Sequence, residues 1–80
     1  MIKANTDRQW LPLYEALASD VRLRIIELLA VTPLNVKEIA ERMSLSSAIV
    51  TMHVRKLETA GLVQTKMVRK SGGTHKMCAL

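Results

Sequence analysis

Two capped helical signals lie only about three residues apart in this chain, and that spacing limits what the chain can fold into. The first is NVKEIAERM. Asn35 is a good N-cap residue, Glu38 stands three positions on as in a capping box, and Val36, Ile39, Ala40 and Met43 trace one face. The second is SSAIVTMHVRKLETAGLV, running from Ser46 to Val63. Its β-branched residues Ile49, Val50, Thr51 and Val54 point to a strand, but AIV and VRKL break any alternation of apolar and polar residues. Read as a helix, Val50, Val54, Leu57 and Gly61 fall within about 60° of one another at roughly 100° per residue. The helix reading fits better. Ala60 and Gly61 then mark either a close packing point or the helix end. Two helices joined by so short a link form a helix-turn-helix, in which the first braces the second at a steep angle.

The segments on either side complete the domain. Pro12 suits a first helical turn, so PLYEALA reads as a short helix. Ser19 is placed to cap SDVRLRIIELLA, with Asp20 favourable at the positive end of the helix dipole. In that helix Val21, Ile25, Leu28 and Leu29, with Ile26 and Ala30, make one wide apolar face, leaving Arg22, Arg24 and Glu27 to solvent. Thr32 and Pro33 end it. After Leu62, LVQTKMVR and THKMCAL are β-prone runs joined by KSGG, whose glycines supply the positive φ of a tight hairpin. In the second run Cys78 alternates with Leu80 toward the core, where the cysteine acts as a small buried hydrophobe. The fold expected is mainly α with a β-hairpin: a winged helix-turn-helix of three to four helices plus a two-stranded wing. Eighty residues leave room for one domain, spanning 1–80.

Charge separates along the chain. From Met1 to Leu45 the bases Lys3, Arg8, Arg22, Arg24, Lys37 and Arg42 balance the acids Asp7, Glu15, Asp20, Glu27, Glu38 and Glu41. From Ser46 onward Arg55, Lys56, Lys66, Arg69, Lys70 and Lys76 oppose Glu58 alone, so this half carries the whole net charge of +5. Such a concentrated positive field suits a polyanion, nucleic acid first among them. On the outer side of the second helix lie Ala48, Ile49, Met52, Arg55, Lys56 and Thr59. Short and apolar side chains beside two cations can meet thymine methyls, base edges and phosphates in a groove. Arg69, Lys70, His75 and Lys76 make a cationic cluster near the hairpin tip.

Other chemistry lacks its parts. No Ser/His/Asp or Cys/His set, phosphate-binding loop or carboxylate pair is present, so an enzyme is not expected. No cofactor is implied, and the single cysteine supplies no paired thiolates for a metal site. No apolar run reaches the length of a membrane span and no signal peptide is visible, so the expected location is the cytoplasm. The aromatics are Trp10 and Tyr14 alone, too few for the stacking platforms of RNA binders.

These residues resemble a known family. ALASDVRLRIIELLA, VKEIAERMSLSSAIVTMHVRKLETAGLV and the basic hairpin are together similar to winged-helix transcriptional repressors of the ArsR type, over about Leu13 to Leu80. The most specific part is the pattern Thr51, Met52, His53, Val54, Leu57, Ala60, Gly61 and Leu62. The resemblance implies sequence-specific binding of double-stranded DNA by a two-fold dimer, with the helix at about 46–60 in the major groove and the wing at about 63–80 on the backbone or minor groove. The DNA-binding residues it implies, together with the charge reading, are Ser46, Ser47, Ala48, Ile49, Thr51, Met52, His53, Arg55, Lys56, Arg69, Lys70 and Lys76. Several have a second reading: Ser46 and Ser47 as helix caps, His53 as a hydrogen-bonding residue at the helix edge, Ile49 and Met52 as a subunit contact. Metal-sensing relatives carry paired cysteines in the helix that here reads VKEIAERM, so that metal site is absent. Homodimerisation is expected through Trp10, Leu11 and Tyr14, and the chain is read as the DNA-binding piece of a longer regulator whose effector binds elsewhere. The competing reading is a winged helix used as a protein-interaction module.

Overall fold

The computed structural model describes residues 19–70 and 72–80. The short helix expected at PLYEALA and the dimerisation residues Trp10, Leu11 and Tyr14 lie outside the described residues. Among the described residues three helices are followed by a hairpin: α1 is Asp20–Val31, α2 is Val36–Met43 and α3 is Ser47–Thr59, while β2 is Gln64–Lys70 and β3 is Gly73–Ala79. The two-residue strand β1, Leu34–Asn35, precedes α2.

Local chemistry sets the helix ends. Ser19 caps α1, its side chain accepting the Arg22 N–H at 3.3 Å. Asn35 and Glu38 form a reciprocal capping box on α2: Asn35 Oδ1 accepts the Glu38 N–H at 2.7 Å, and Glu38 Oε1 accepts the Asn35 N–H at 2.9 Å. Helices α2 and α3 stop the same way. Past α3, the Leu62 N–H returns to the Leu57 carbonyl at 3.0 Å and the Gly61 N–H to that of Glu58 at 2.9 Å. Past α2, the Leu45 N–H returns to Ala40 at 3.0 Å and the Ser44 N–H to Glu41 at 3.3 Å. Both are Schellman closures, which need a left-handed residue. Gly61 takes it with φ 77°, and Ser44 with φ 55°. Gly61 is exposed, so of its two expected roles it fills the helix end and not the packing point.

All three helices contribute to one core. Ile25 and Leu29 of α1, Ile39 and Ala40 of α2, and Val50, Val54 and Leu57 of α3 meet Leu34, Val63 and Cys78. The α3 stripe is fully buried, as its spacing required. Each such side chain contributes about 1.5–3 kcal/mol from burial, so packing holds α3 helical despite its β-branched residues.

Three features of the expected fold need correction. Arg22, expected in solvent, is 9% exposed; it lies one turn before Ile26 on the flank of α1 and turns toward α3. Ala30, expected on the apolar face, is exposed. Leu80, expected in the core, is 53% exposed because it lies past Ala79, the last residue paired to β2.

The sheet also has a strand that the sequence did not announce. Its order is β1-β3-β2, with β1 antiparallel to β3 through Leu34 opposite Cys78 and Asn35 opposite Met77. The wing is thereby anchored to the helices at its base. Its far end lies at the Lys70–Gly73 pair, where Gly72 has φ 93° and Gly73 φ 141°. Tight hairpin turns need positive φ.

Candidate nucleic-acid interface

The side of α3 away from the core stripe is open. Ala48, Ile49, Met52, Arg55, Lys56 and Thr59 are all exposed, with Ile49 at 43% and Met52 at 48%. Apolar exposure on a helix whose other side is fully buried is not a folding requirement, and it leaves a surface that mixes short and apolar side chains with two cations. At the N-terminal end, Ser46 Oγ accepts the Ile49 N–H at 3.2 Å, so Ser46 is the cap; Ser47 is exposed in the first turn. The Ser46 hydroxyl proton is still a donor. Thr51 is half-buried, on the flank of the open face.

His53 sits on the boundary between the open face and the core stripe, half-buried, with Nδ1 3.2 Å from Arg22 Nη1. A guanidinium only donates, so Nδ1 must be the unprotonated acceptor and the ring is neutral. Desolvation by burial, and then the positive charges of Arg22 and Lys56, hold the imidazole below its ordinary value. The structural reading of His53 is thus present in the molecule.

The wing cations do not form one cluster. Pairing places Arg69 opposite Thr74 and Lys76 opposite Met67, on the face that carries Thr65 and buried Cys78. Lys70 opposite Gly73 and His75 opposite Val68 lie on the other face, with Lys66 opposite Met77. A period of two separates neighbours along a strand, so adjacent Arg69 and Lys70 must point to opposite faces. Arg69, Lys70 and Lys66 are exposed, and Lys76 is half-buried. Lys66 extends the second face toward the base of the hairpin; its place follows from the register, which the sequence alone left open.

One polar contact ties the wing to α3. The Thr65 hydroxyl donates to Glu58 Oε2, joining the last turn of α3 to the start of β2. Cys78 is fully buried, and burial raises its thiol pKa while nearby Lys76 lowers it and Glu58 raises it. It behaves as core. No described helix is long and apolar enough to cross a membrane.

Comparison with known proteins bears on this surface. The model of the arsR family of bacterial regulatory proteins matches residues 19–65, which covers α1, β1, α2, α3 and the start of the wing. An uncharacterized HTH-type transcriptional regulator of Methanocaldococcus jannaschii is 41% identical over 54 residues, 68% of this chain and 57% of that protein. The chain thus spans little more than half of that relative's length. Among solved structures, HlyU of Vibrio cholerae is similar with a TM-score of 0.73 and 31% identity, over 100% of this chain and 80% of that one. A homodimeric winged helix-turn-helix DNA-binding domain from Mycobacterium bovis, a possible ArsR-family regulator, is similar with a TM-score of 0.79 and 26% identity, over 98% of this chain and 68% of that one. With the described helices, the helix-turn-helix they contain and the hairpin after it, the chain belongs to the arsR family of bacterial regulatory proteins.

Proposed function

We propose that this chain is the DNA-binding domain of a cytoplasmic transcriptional regulator, a repressor, that binds double-stranded DNA sequence-specifically as a homodimer. The observation that carries the reading is the open face of α3, from Ser47 to Thr59, exposed along its length and continuous in the chain with an exposed cationic wing. Helix α3 enters the major groove, where Ala48, Ile49 and Met52 meet base edges and thymine methyls, with Ser46, Ser47 and Thr51 beside them. Arg55 and Lys56 contact phosphates. The wing, through Arg69, Lys70 and Lys76, lies on the backbone or minor groove. Trp10, Leu11 and Tyr14 form the dimer contact, and the homodimeric state of the Mycobacterium bovis domain supports the two-fold arrangement. Residues 1–80 act as one unit, with any effector bound outside them.

Enrichment of duplexes from a random pool tests this. A palindrome with half-sites about one helical turn apart is the expected product. With about four to six phosphates neutralised per half, the bound complex weakens steeply with salt, with a slope of roughly −0.9 in log K per phosphate. Absence of any enriched sequence would favour a protein-interaction module.

A further inference from the structure

Arg22 is the one buried charged side chain among the described residues, and it spends a guanidinium N–H on a residue of α3 instead of on solvent. The choice of partner has a chemical consequence. Because Arg22 can only donate, contact with Nδ1 at 3.2 Å admits only the imidazole tautomer that carries its proton on Nε2. Along α3 the residue also lies between two environments. Its i−3 and i+4 neighbours, Val50 and Leu57, are fully buried, whereas its i−4 and i+3 neighbours, Ile49 and Lys56, are exposed on the open face. Nδ1 is taken up on the α1 side. Nε2 is the ring nitrogen remote from Arg22, and it carries the ring's single N–H.

We propose that Arg22 is a positioning residue for DNA binding: it fixes His53 as the Nε2–H tautomer and directs that N–H from the edge of α3 to a DNA phosphate. The inference rests on the reading of α3 as the recognition helix. A neutral donor suits this place, because Lys56 already supplies charge one turn on and a second cation beside Arg22 would be repelled by both. Helix α1 thereby acts on the DNA contact without touching DNA.

Two isosteric substitutions separate the two ring nitrogens. His53→Asn puts an amide oxygen near the Nδ1 position and keeps the acceptor for Arg22 but loses the outer donor. His53→Gln puts an amide N–H near the Nε2 position and keeps the donor but not the acceptor. With the duplex enriched by the parent protein, the Gln variant is expected to bind roughly tenfold tighter than the Asn variant, a hydrogen bond to a charged group being at stake. The Asn variant is expected to melt at the higher temperature, an order opposite to that of affinity. A purely structural His53 would give the same order in both measurements. In the parent, single methylphosphonate substitutions along the duplex should locate one phosphate whose neutralisation weakens binding, and the Asn variant should be indifferent at that phosphate. Long-range 1H–15N spectra of the free parent should show the His53 proton on Nε2, and Arg22→Gln should mix the tautomers. A proton on Nδ1, or an Asn variant that binds as tightly as the Gln variant, overturns the proposal and leaves the DNA-binding reading intact. Failure of the parent to enrich any duplex overturns that reading itself.

Discussion

The Thr65 hydroxyl donates to Glu58, so the recognition-helix candidate and the wing are joined by a side-chain bond as well as by Ala60–Val63 of the chain. Glu58 is also the one acid from Ser46 onward. The two roles separate by substitution. Thr65→Val removes the donor and keeps the charge; this exposed bond is worth about 0.5–1.5 kcal/mol at most, and urea unfolding should show a loss within that range. Glu58→Gln keeps an acceptor and removes the negative charge, so its affinity for random duplex at low salt should rise, measured by fluorescence anisotropy. A fall in affinity for Glu58→Gln would mean that the carboxylate orders the wing for binding.

The turn between α2 and α3 carries a left-handed serine. Ser44 has φ 55° and ψ 42°, a conformation that costs an L-residue roughly 1–2 kcal/mol. Ser44→Gly relieves that strain and gives back part of it as unfolded-state entropy. The net effect expected in thermal or urea unfolding is a gain of about 0.5–1 kcal/mol. Gly61 occupies the equivalent place after α3, and Gly61→Ala should lose a similar amount because its φ is 77°.

Stability should fall on mild acidification. Burial, Arg22 and Lys56 hold the His53 pKa in the folded protein below its ordinary value of 6.5. Across the interval between these two values the unfolded chain binds a proton that the folded one refuses, so stability rises with pH there. The contribution is fully present above about 6.5 and is lost as pH falls through the folded value. Urea midpoints measured from pH 7.5 downward should decline below about 6.5, and His53→Asn should flatten that decline. An unchanged profile in the variant would place the effect on other groups.

Wing and helix substitutions should act differently on DNA. Arg69→Ala or Lys70→Ala is expected to weaken binding to all duplexes alike and to reduce the salt slope by about one. The two lie on opposite faces of the hairpin, so equal losses would mean that both faces approach the backbone. Ala48 or Met52 substitutions should instead change which sequences are enriched, by about 1–3 kcal/mol per base pair. Charge-neutral wing variants that bind random duplex as tightly as the parent at low salt would remove the wing from the interface.

The features legible in the sequence are those made by residues close together in the chain. The Ser19, Asn35 and Ser46 caps, the capping box with Glu38, the Val50–Val54–Leu57 stripe and the glycine turn of the hairpin all depend on spacings of one to four residues. Backbone geometry converts such spacings into a common face, a satisfied end or a turn, so the order of elements and the open face of α3 could be read directly. Other features joined residues far apart. Arg22 meets His53 across 31 positions, and Leu34 pairs with Cys78 across a longer interval. Neither has a local pattern: an arginine at the flank of an amphipathic helix reads as solvated until a second helix packs beside it. The strand register likewise decided that Arg69 and Lys70 part to opposite faces, that Lys66 sides with Lys70, and that Leu80 falls beyond the paired strands. Helix and turn chemistry resides in neighbours, whereas the partners of a buried charge and the face of a strand residue exist only once separate elements have packed.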